Sequence, residues 1–232
     1  MKGCKWFVVL VAALCSTAVM AKDAEKSTYV EIETSVGIMK VRLYNETPQH
    51  RDNFVKLVKS GFYNGLLFHR VIKDFMAQGG DPNSRDCTAE ARLGSGGLDY
   101  TVPAEINFPA LYHKRGALAA ARLGDAANPT RASSACQFYI VQGKKYNDAE
   151  LNEIERYIGR AIGKPGQFKY SDEQRRQYKM FGGTPYLDGQ YTVFGELVEG
   201  FAVLDKICAL ETNADDRPVQ DVVIIRMRVV RK

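Results

Sequence analysis

From Tyr29 to Tyr44 the chain alternates apolar and polar residues, first over Tyr29-Val-Glu-Ile-Glu33 and again over Ile38-Met-Lys-Val-Arg-Leu-Tyr44. A period of two fits an extended strand with one face buried. Thr34-Ser-Val-Gly37 lies between the runs, and Gly37 supplies a tolerant turn position, so the pair predicts a β-hairpin. Its buried face carries Val30 and Ile32 on one strand and Met39, Val41 and Leu43 on the other. Short β-type runs recur at Leu67–Ile72, Gly116–Ala121, Gln137–Val141, Tyr191–Leu197 and Val222–Val230, with glycine-rich or polar turns through much of the interval. Many short strands punctuated in this way point to a mainly β sandwich or barrel.

Two helices are predicted among these strands. Thr47 as N-cap and Pro48 at the first helical position open one of them. Phe54, Leu57 and Val58 form its apolar stripe, and Gly61 stands where a left-handed cap ends a helix. The other runs from Gly200 to Leu210, with Val203, Leu204 and Ile207 on one face. The segment Lys144–Pro185 differs in kind. Asp148–Ile162 places Leu151, Ile154, Ile158 and Ile162 at helical spacing, and Ser171-Asp-Glu-Gln174 is a capping box opening a more polar helix. Lys164-Pro-Gly166 separates the two. We read residues 144–185 as a helical insertion within a single domain of residues 28–232. Its nine Lys/Arg against six Asp/Glu read as a solvated, mildly basic face.

The first residues predict a targeting segment rather than part of the fold. Lys2 and Lys5 precede an apolar run, Trp6–Leu14, and Val19-Met-Ala21 offers a cleavage site, the parts of a secretory signal peptide over residues 1–21. The run is shorter than the roughly 20 residues a bilayer span needs, so no stable membrane span is expected and the mature protein is expected to be periplasmic or secreted. Losing two lysines and no acids lowers the formal charge from +5 to +3, too small a surplus for nucleic acid to be the main partner. Cys87, Cys136 and Cys208 then remain, widely spaced and without a Cys-x-x-Cys pair. No zinc site or disulfide framework is legible in them. His50, His69 and His113 show no metal spacing either, so no cofactor and no metal are expected. Gly94-Ser-Gly-Gly97 lacks the lysine of a phosphate loop and reads as a tight turn.

The chemistry concentrates in a few stretches. Phe68-His-Arg-Val-Ile72 is followed by Phe75-Met-Ala-Gln-Gly-Gly80; later come Ala119-Ala-Ala-Arg122, Ser134-Ala-Cys-Gln-Phe-Tyr139 and Tyr186-Leu-Asp-Gly-Gln-Tyr-Thr-Val-Phe-Gly195. In this order they resemble the cyclophilins, whose signature F-H-R-[VI]-I-x-x-F-M-x-Q-G-G stands here without gaps. The resemblance covers roughly residues 28–142 and 186–230. It implies a closed eight-stranded antiparallel barrel capped by two helices, with a peptidyl-prolyl cis–trans isomerase site on its outer face. It also implies roles for single residues. Arg70 matches the arginine that catalyses rotation. Phe75, Met76, Tyr139 and Leu187 match the proline pocket, and Gln78 and Gln137 the groups that bind peptide backbone. Ala121 leaves room for the peptide, and His69 flanks the arginine. Arg122 stands beside Ala121 where the best-known members have asparagine, and Tyr191 replaces their pocket histidine. Tyr186 stands where those members have a tryptophan associated with cyclosporin binding, so weak drug affinity is expected. These replacements resemble those of bacterial exported members.

Residue chemistry agrees with that implication. Rotation about an X–Pro bond breaks no bond; it needs only preferential stabilisation of the twisted amide, whose nitrogen regains a lone pair. A guanidinium suits this because it stays charged and presents a rigid fork. Gln137 and Tyr139, two apart on a strand, share a face. The expected partners are proline-containing polypeptides, met by a monomer. A groove that only held such peptides could do without the arginine.

Overall fold

The computed structural model describes residues 27–231, so the signal-peptide reading of residues 1–21 lies outside the described residues. The alternating start forms the predicted hairpin, β1 (Thr28–Thr34) and β2 (Gly37–Leu43), paired Val30 to Val41 and Ile32 to Met39. Val30, Ile32, Met39, Val41 and Leu43 are all buried, as the pattern requires. Helix α1 (Pro48–Lys59) follows, then β3 (Arg70–Ile72), β4 (Met76–Gly79), the two-residue β5 (Thr101–Val102), β6 (Ala117–Ala120), β7 (Ser133–Ser134) and β8 (Phe138–Val141). Helices α2 (Asp148–Ala161) and α3 (Asp172–Met180) stand between β8 and β9 (Val193–Glu199), and α4 (Phe201–Cys208) leads to β10 (Ile224–Val230).

Eight strands make one antiparallel sheet in the order β10-β1-β2-β9-β6-β8-β4-β3, while β5 and β7 pair separately. The sheet curls until the chain before β3 meets the chain before β10, at the single bridge Leu67–Val223 and the bonds Phe68 N–H to Val222 O (2.9 Å) and Ile224 N–H to Leu66 O (2.8 Å). No ladder closes it. The expected closed barrel is therefore corrected to an open, curled sheet. The reason is local: β3 is only three residues long, and the Val71 N–H donates instead to the carbonyl of Asp216 (2.8 Å), so a loop occupies the edge that a closing strand would need.

The stripe Phe54, Leu57 and Val58 of α1, with Leu204 and Ile207 of α4, packs into the same core as the hairpin. β8 is buried on both faces. Phe138 and Ile140 point into that core, and Tyr139 and Val141 join a smaller cluster on the opposite face, with Met76, Ala117, Ala119 and Val193. The candidate site is built on this second face.

Helix ends follow the sequence with one correction. Gly61 takes the left-handed conformation just past α1 (φ +73°), and both insertion helices open with complete capping boxes, Asn147/Glu150 and Ser171/Gln174. Thr47 occupies the N-cap position of α1, but its hydroxyl makes no capping bond. The carboxylate of Glu105 does that work, accepting the N–H groups of Gln49 (3.0 Å) and His50 (2.9 Å). Among the described residues the cysteines are unpaired, and no helix is long and apolar enough to cross a membrane.

Candidate active site

Strand register places the site residues. Arg70 on β3 lies opposite Gln78 on β4, Gln78 opposite Tyr139 on β8, and Tyr139 opposite Ala119 on β6. Residues paired across an antiparallel sheet share a face, so Arg70, Gln78 and Tyr139 form one row. Met76, two before Gln78, shares that face.

Over this row opens a cavity of about 500 Å³. Its walls are Arg70, Phe75, Met76, Gln78, Ala121, Arg122, Tyr139, Leu187 and Tyr191, all named by the sequence, together with Leu93, Gly94, Ser95 and Leu123. Met76 and Tyr139 are buried and make the floor. The Phe75 ring lies 5.9 Å from that of Tyr186, and Tyr191 meets Tyr139 edge to face at 6.2 Å. The result is an apolar hollow with a cation at its rim.

Arg70 is that cation. Its side chain is 41% exposed, and its Nε donates to the Asp216 carboxylate at 3.2 Å. Asp216 is itself fixed, because its carbonyl accepts the Val71 N–H. The anchor therefore holds the neck of the guanidinium, and among the described residues no other hydrogen bond takes its terminal nitrogens. Sequence reading missed Asp216, which lies 146 positions away in a loop with no motif of its own.

Two sequence-named residues stand behind the cavity rather than on its wall. His69 precedes Arg70 on an extended chain, so the two side chains point to opposite sides. His69 is buried, neither ring nitrogen has a hydrogen-bond partner among the described residues, and burial lowers its pKa. Gln137 is also buried: it accepts from Gln78 Nε2 (2.8 Å) and donates to the carbonyls of Gly94 (3.0 Å) and Gly96 (2.6 Å). It braces the loop whose Leu93, Gly94 and Ser95 line the hollow. That loop, read from sequence only as a tight turn, is folded onto the buried Asp81 carboxylate, which accepts from the Gly94 and Gly96 N–H groups. Arg122 does reach the cavity, but as a wall. Its side chain is 3% exposed, lies 4.4 Å over the Tyr191 ring, donates to the Gln190 carbonyl (2.9 Å) and pairs with Asp125 (2.6 Å).

The family model described as cyclophilin type peptidyl-prolyl cis-trans isomerase/CLD matches residues 29–229. The chain belongs to this family. Like other cyclophilin-type isomerases it is an enzyme that acts on proline-containing peptides. Over 196 residues it is 36% identical to a Staphylococcus haemolyticus protein named as a peptidyl-prolyl cis–trans isomerase, which covers 84% of this chain and 87% of that one. Over 205 residues it is 38% identical to a Streptococcus pyogenes protein named as a bifunctional phosphatase/peptidyl-prolyl cis–trans isomerase, covering 86% of this chain but 38% of that longer protein. Its fold resembles the crystal structure of a Cryptosporidium parvum cyclophilin-type isomerase, with a TM-score of 0.61 and 24% identity over 89% of this chain and 99% of that one.

Proposed function

We propose that Arg70 supplies the transition-state hydrogen bond for X–Pro rotation while Phe75, Met76, Tyr139 and Leu187 hold the proline ring. The planar imide resists rotation with a barrier of about 18–20 kcal/mol. Halfway through rotation its resonance is lost and the proline nitrogen carries a lone pair. A donor that meets this lone pair gains energy only in the twisted state, which is the condition for raising the rate rather than merely tightening binding. Each ~1.36 kcal/mol of such preference is about tenfold in rate.

The observation that carries this reading is that Arg70 lines the apolar hollow with its Nε tied to Asp216. A guanidinium anchored at its neck keeps its terminal N–H groups as donors and meets substrate with little loss of side-chain freedom. The hollow supplies the other requirement: a fixed grip on one side of the bond while the other side turns. Gln78, which lines the cavity, and Ala121, whose small side chain leaves the wall low, serve the peptide backbone on either side of the proline. A protease-coupled assay on an X–Pro peptide tests the reading. Arg70→Ala lowers turnover at least about tenfold, the loss of ~1.4 kcal/mol of transition-state preference; full activity in a folded Arg70→Ala protein overturns it.

We further propose that the enzyme works outside the cytoplasm, periplasmic or secreted, on exported polypeptides, a reading supported by the signal-type pattern of residues 1–21. Intact-mass measurement on the fractionated protein tests it: a periplasmic or secreted species lacking about the first 21 residues is expected, and a cytoplasmic full-length species refutes it.

A further inference from the structure

We propose that the insertion sets the floor of the proline socket through a buried hydrogen-bond chain running from Tyr170 and Tyr178 through Asp188 and His113 to Tyr139. The inference deepens the functional reading above and rests on Tyr139 being the floor of that socket.

Asp188 follows the Pro185–Leu187 turn and is fully buried. A buried carboxylate is tolerated only when donors surround it, and here four do. One oxygen accepts the His113 N–H (2.8 Å) and faces His113 Nδ1 (2.9 Å); the other accepts the hydroxyls of Tyr170 (2.7 Å) and Tyr178 (2.6 Å). Tyr178 lies on α3, and Tyr170 just before it. The far ring nitrogen, Nε2, meets the Tyr139 hydroxyl at 3.0 Å.

The direction of the chain follows from what each group can do. A carboxylate only accepts, so His113 Nδ1 carries a proton; in the neutral ring Nε2 is then an acceptor, and Tyr139 donates to it. Burial keeps the Tyr139 phenol protonated. The His113 and Tyr139 rings lie nearly parallel, 6.1 Å apart and 12° from coplanar, and Tyr191 stands edge-on to both. A phenylalanine would fill the floor equally well. The hydroxyl is what ties that ring to His113.

The insertion is seated for this task. Tyr170 and Tyr178 belong to its own buried cluster with Tyr146 and Leu151, and Phe108 and Tyr112 pack against it. On the return to β9, the Thr184 N–H donates to the His113 carbonyl (2.8 Å), and a Cβ on Gly183 would stand 2.4 Å from that same carbonyl oxygen and 2.6 Å from the Tyr178 ring. His113 is therefore clasped from the insertion side by both backbone and side chains. Asp188, His113, Tyr170 and Tyr178 act as positioning residues, since none of them lines the hollow.

The floor packs on the proline ring in ground and transition states alike, so loosening it affects binding rather than rotation. The test uses the full chain. Tyr170→Phe with Tyr178→Phe raises the KM for an X–Pro peptide, and its Kd in an NMR titration, by about three- to tenfold, the range expected for losing one such hydrogen-bonded constraint. kcat stays within about twofold. Tyr139→Phe, which deletes a single oxygen, gives a similar rise, and combining all three substitutions adds nothing further because they cut one chain. Unchanged KM in Tyr139→Phe overturns the proposal, as does a rise in the combined protein equal to the product of the separate rises. If the double variant does not fold, Tyr139→Phe and a Tyr139→Phe/His113→Gln pair decide the same question. The titration reads binding without turnover, so a failure of the Arg70 rate prediction is distinguishable from a failure here.

Discussion

Replacing Glu105 with alanine is expected to cost this protein about 2.5–4 kcal/mol of stability, although the residue lies outside every motif. The carboxylate accepts the first free N–H groups of α1, from Gln49 at 3.0 Å and His50 at 2.9 Å, and holds His50 Nδ1 at 2.7 Å. His50 Nε2 in turn meets the Ser133 hydroxyl at 2.9 Å. Losing a helix cap costs about 1 kcal/mol, and leaving a buried histidine donor without its charged partner costs about 1.5–3 kcal/mol more. Thr47 provides the control. Its hydroxyl is buried without a partner, so Thr47→Val should shift stability by no more than about 0.5 kcal/mol. Urea unfolding followed by circular dichroism measures both; with a slope of about 2 kcal/mol per molar, Glu105→Ala moves the midpoint down by about 1–2 M. A loss below about 1 kcal/mol in Glu105→Ala, or a loss above that in Thr47→Val, refutes the assignment of the cap.

Other expectations follow from single contacts. Burial lowers the pKa values of His50 and His69 below 6.5; the native state then binds fewer protons than the unfolded chain, so their contribution to stability is complete above about pH 6.5 and is lost as pH falls through the folded values. Burial works against Glu105 ionisation, but its bonds to His50 outweigh this and lower its pKa, so its contribution is lost only at more acid pH, below 4.5. A melting temperature that is flat between pH 7 and pH 5 contradicts this. Gly80→Ala destabilises by more than about 2 kcal/mol in urea unfolding, because φ is +93° and the new Cβ stands 2.1 Å from the Cys136 carbonyl oxygen; a near-neutral effect contradicts the backbone path at the end of β4. Asp216→Ala costs about 1–2 kcal/mol, less from its ion pair, whose partners are both 41% exposed, than from placing alanine at a left-handed position (φ +61°), and it lowers isomerase turnover about two- to fivefold by freeing the guanidinium; full activity in that protein separates Asp216 from the site.

What could be read from the sequence was what is local. The hairpin, α1, α4 and both insertion helices announce themselves through spacing and caps that lie within a dozen or so residues. The signature names Arg70, Phe75, Met76 and Gln78 because they crowd into two neighbouring strands and the turn between them, and a later segment adds Tyr139. It does not say which way each side chain faces. His69 and Gln137 belong to the same stretches, but His69 turns inward by strand alternation and Gln137 is covered by the 93–96 loop that it holds. Partners supplied from afar were invisible. Glu105 caps a helix 55 residues away, and Asp216 anchors Arg70 across 146. The closed barrel failed for a related reason. Whether two sheet edges zip together depends on a loop carbonyl taking the Val71 N–H, which no periodicity encodes.

The role proposed for Arg70 is in rotation rather than in binding. NMR exchange spectroscopy on a saturated X–Pro peptide measures the cis–trans rate on the enzyme itself, apart from affinity. Arg70→Ala is expected to lower that rate at least about tenfold while Kd changes less than about threefold. An undiminished on-enzyme rate with a weakened Kd would contradict it.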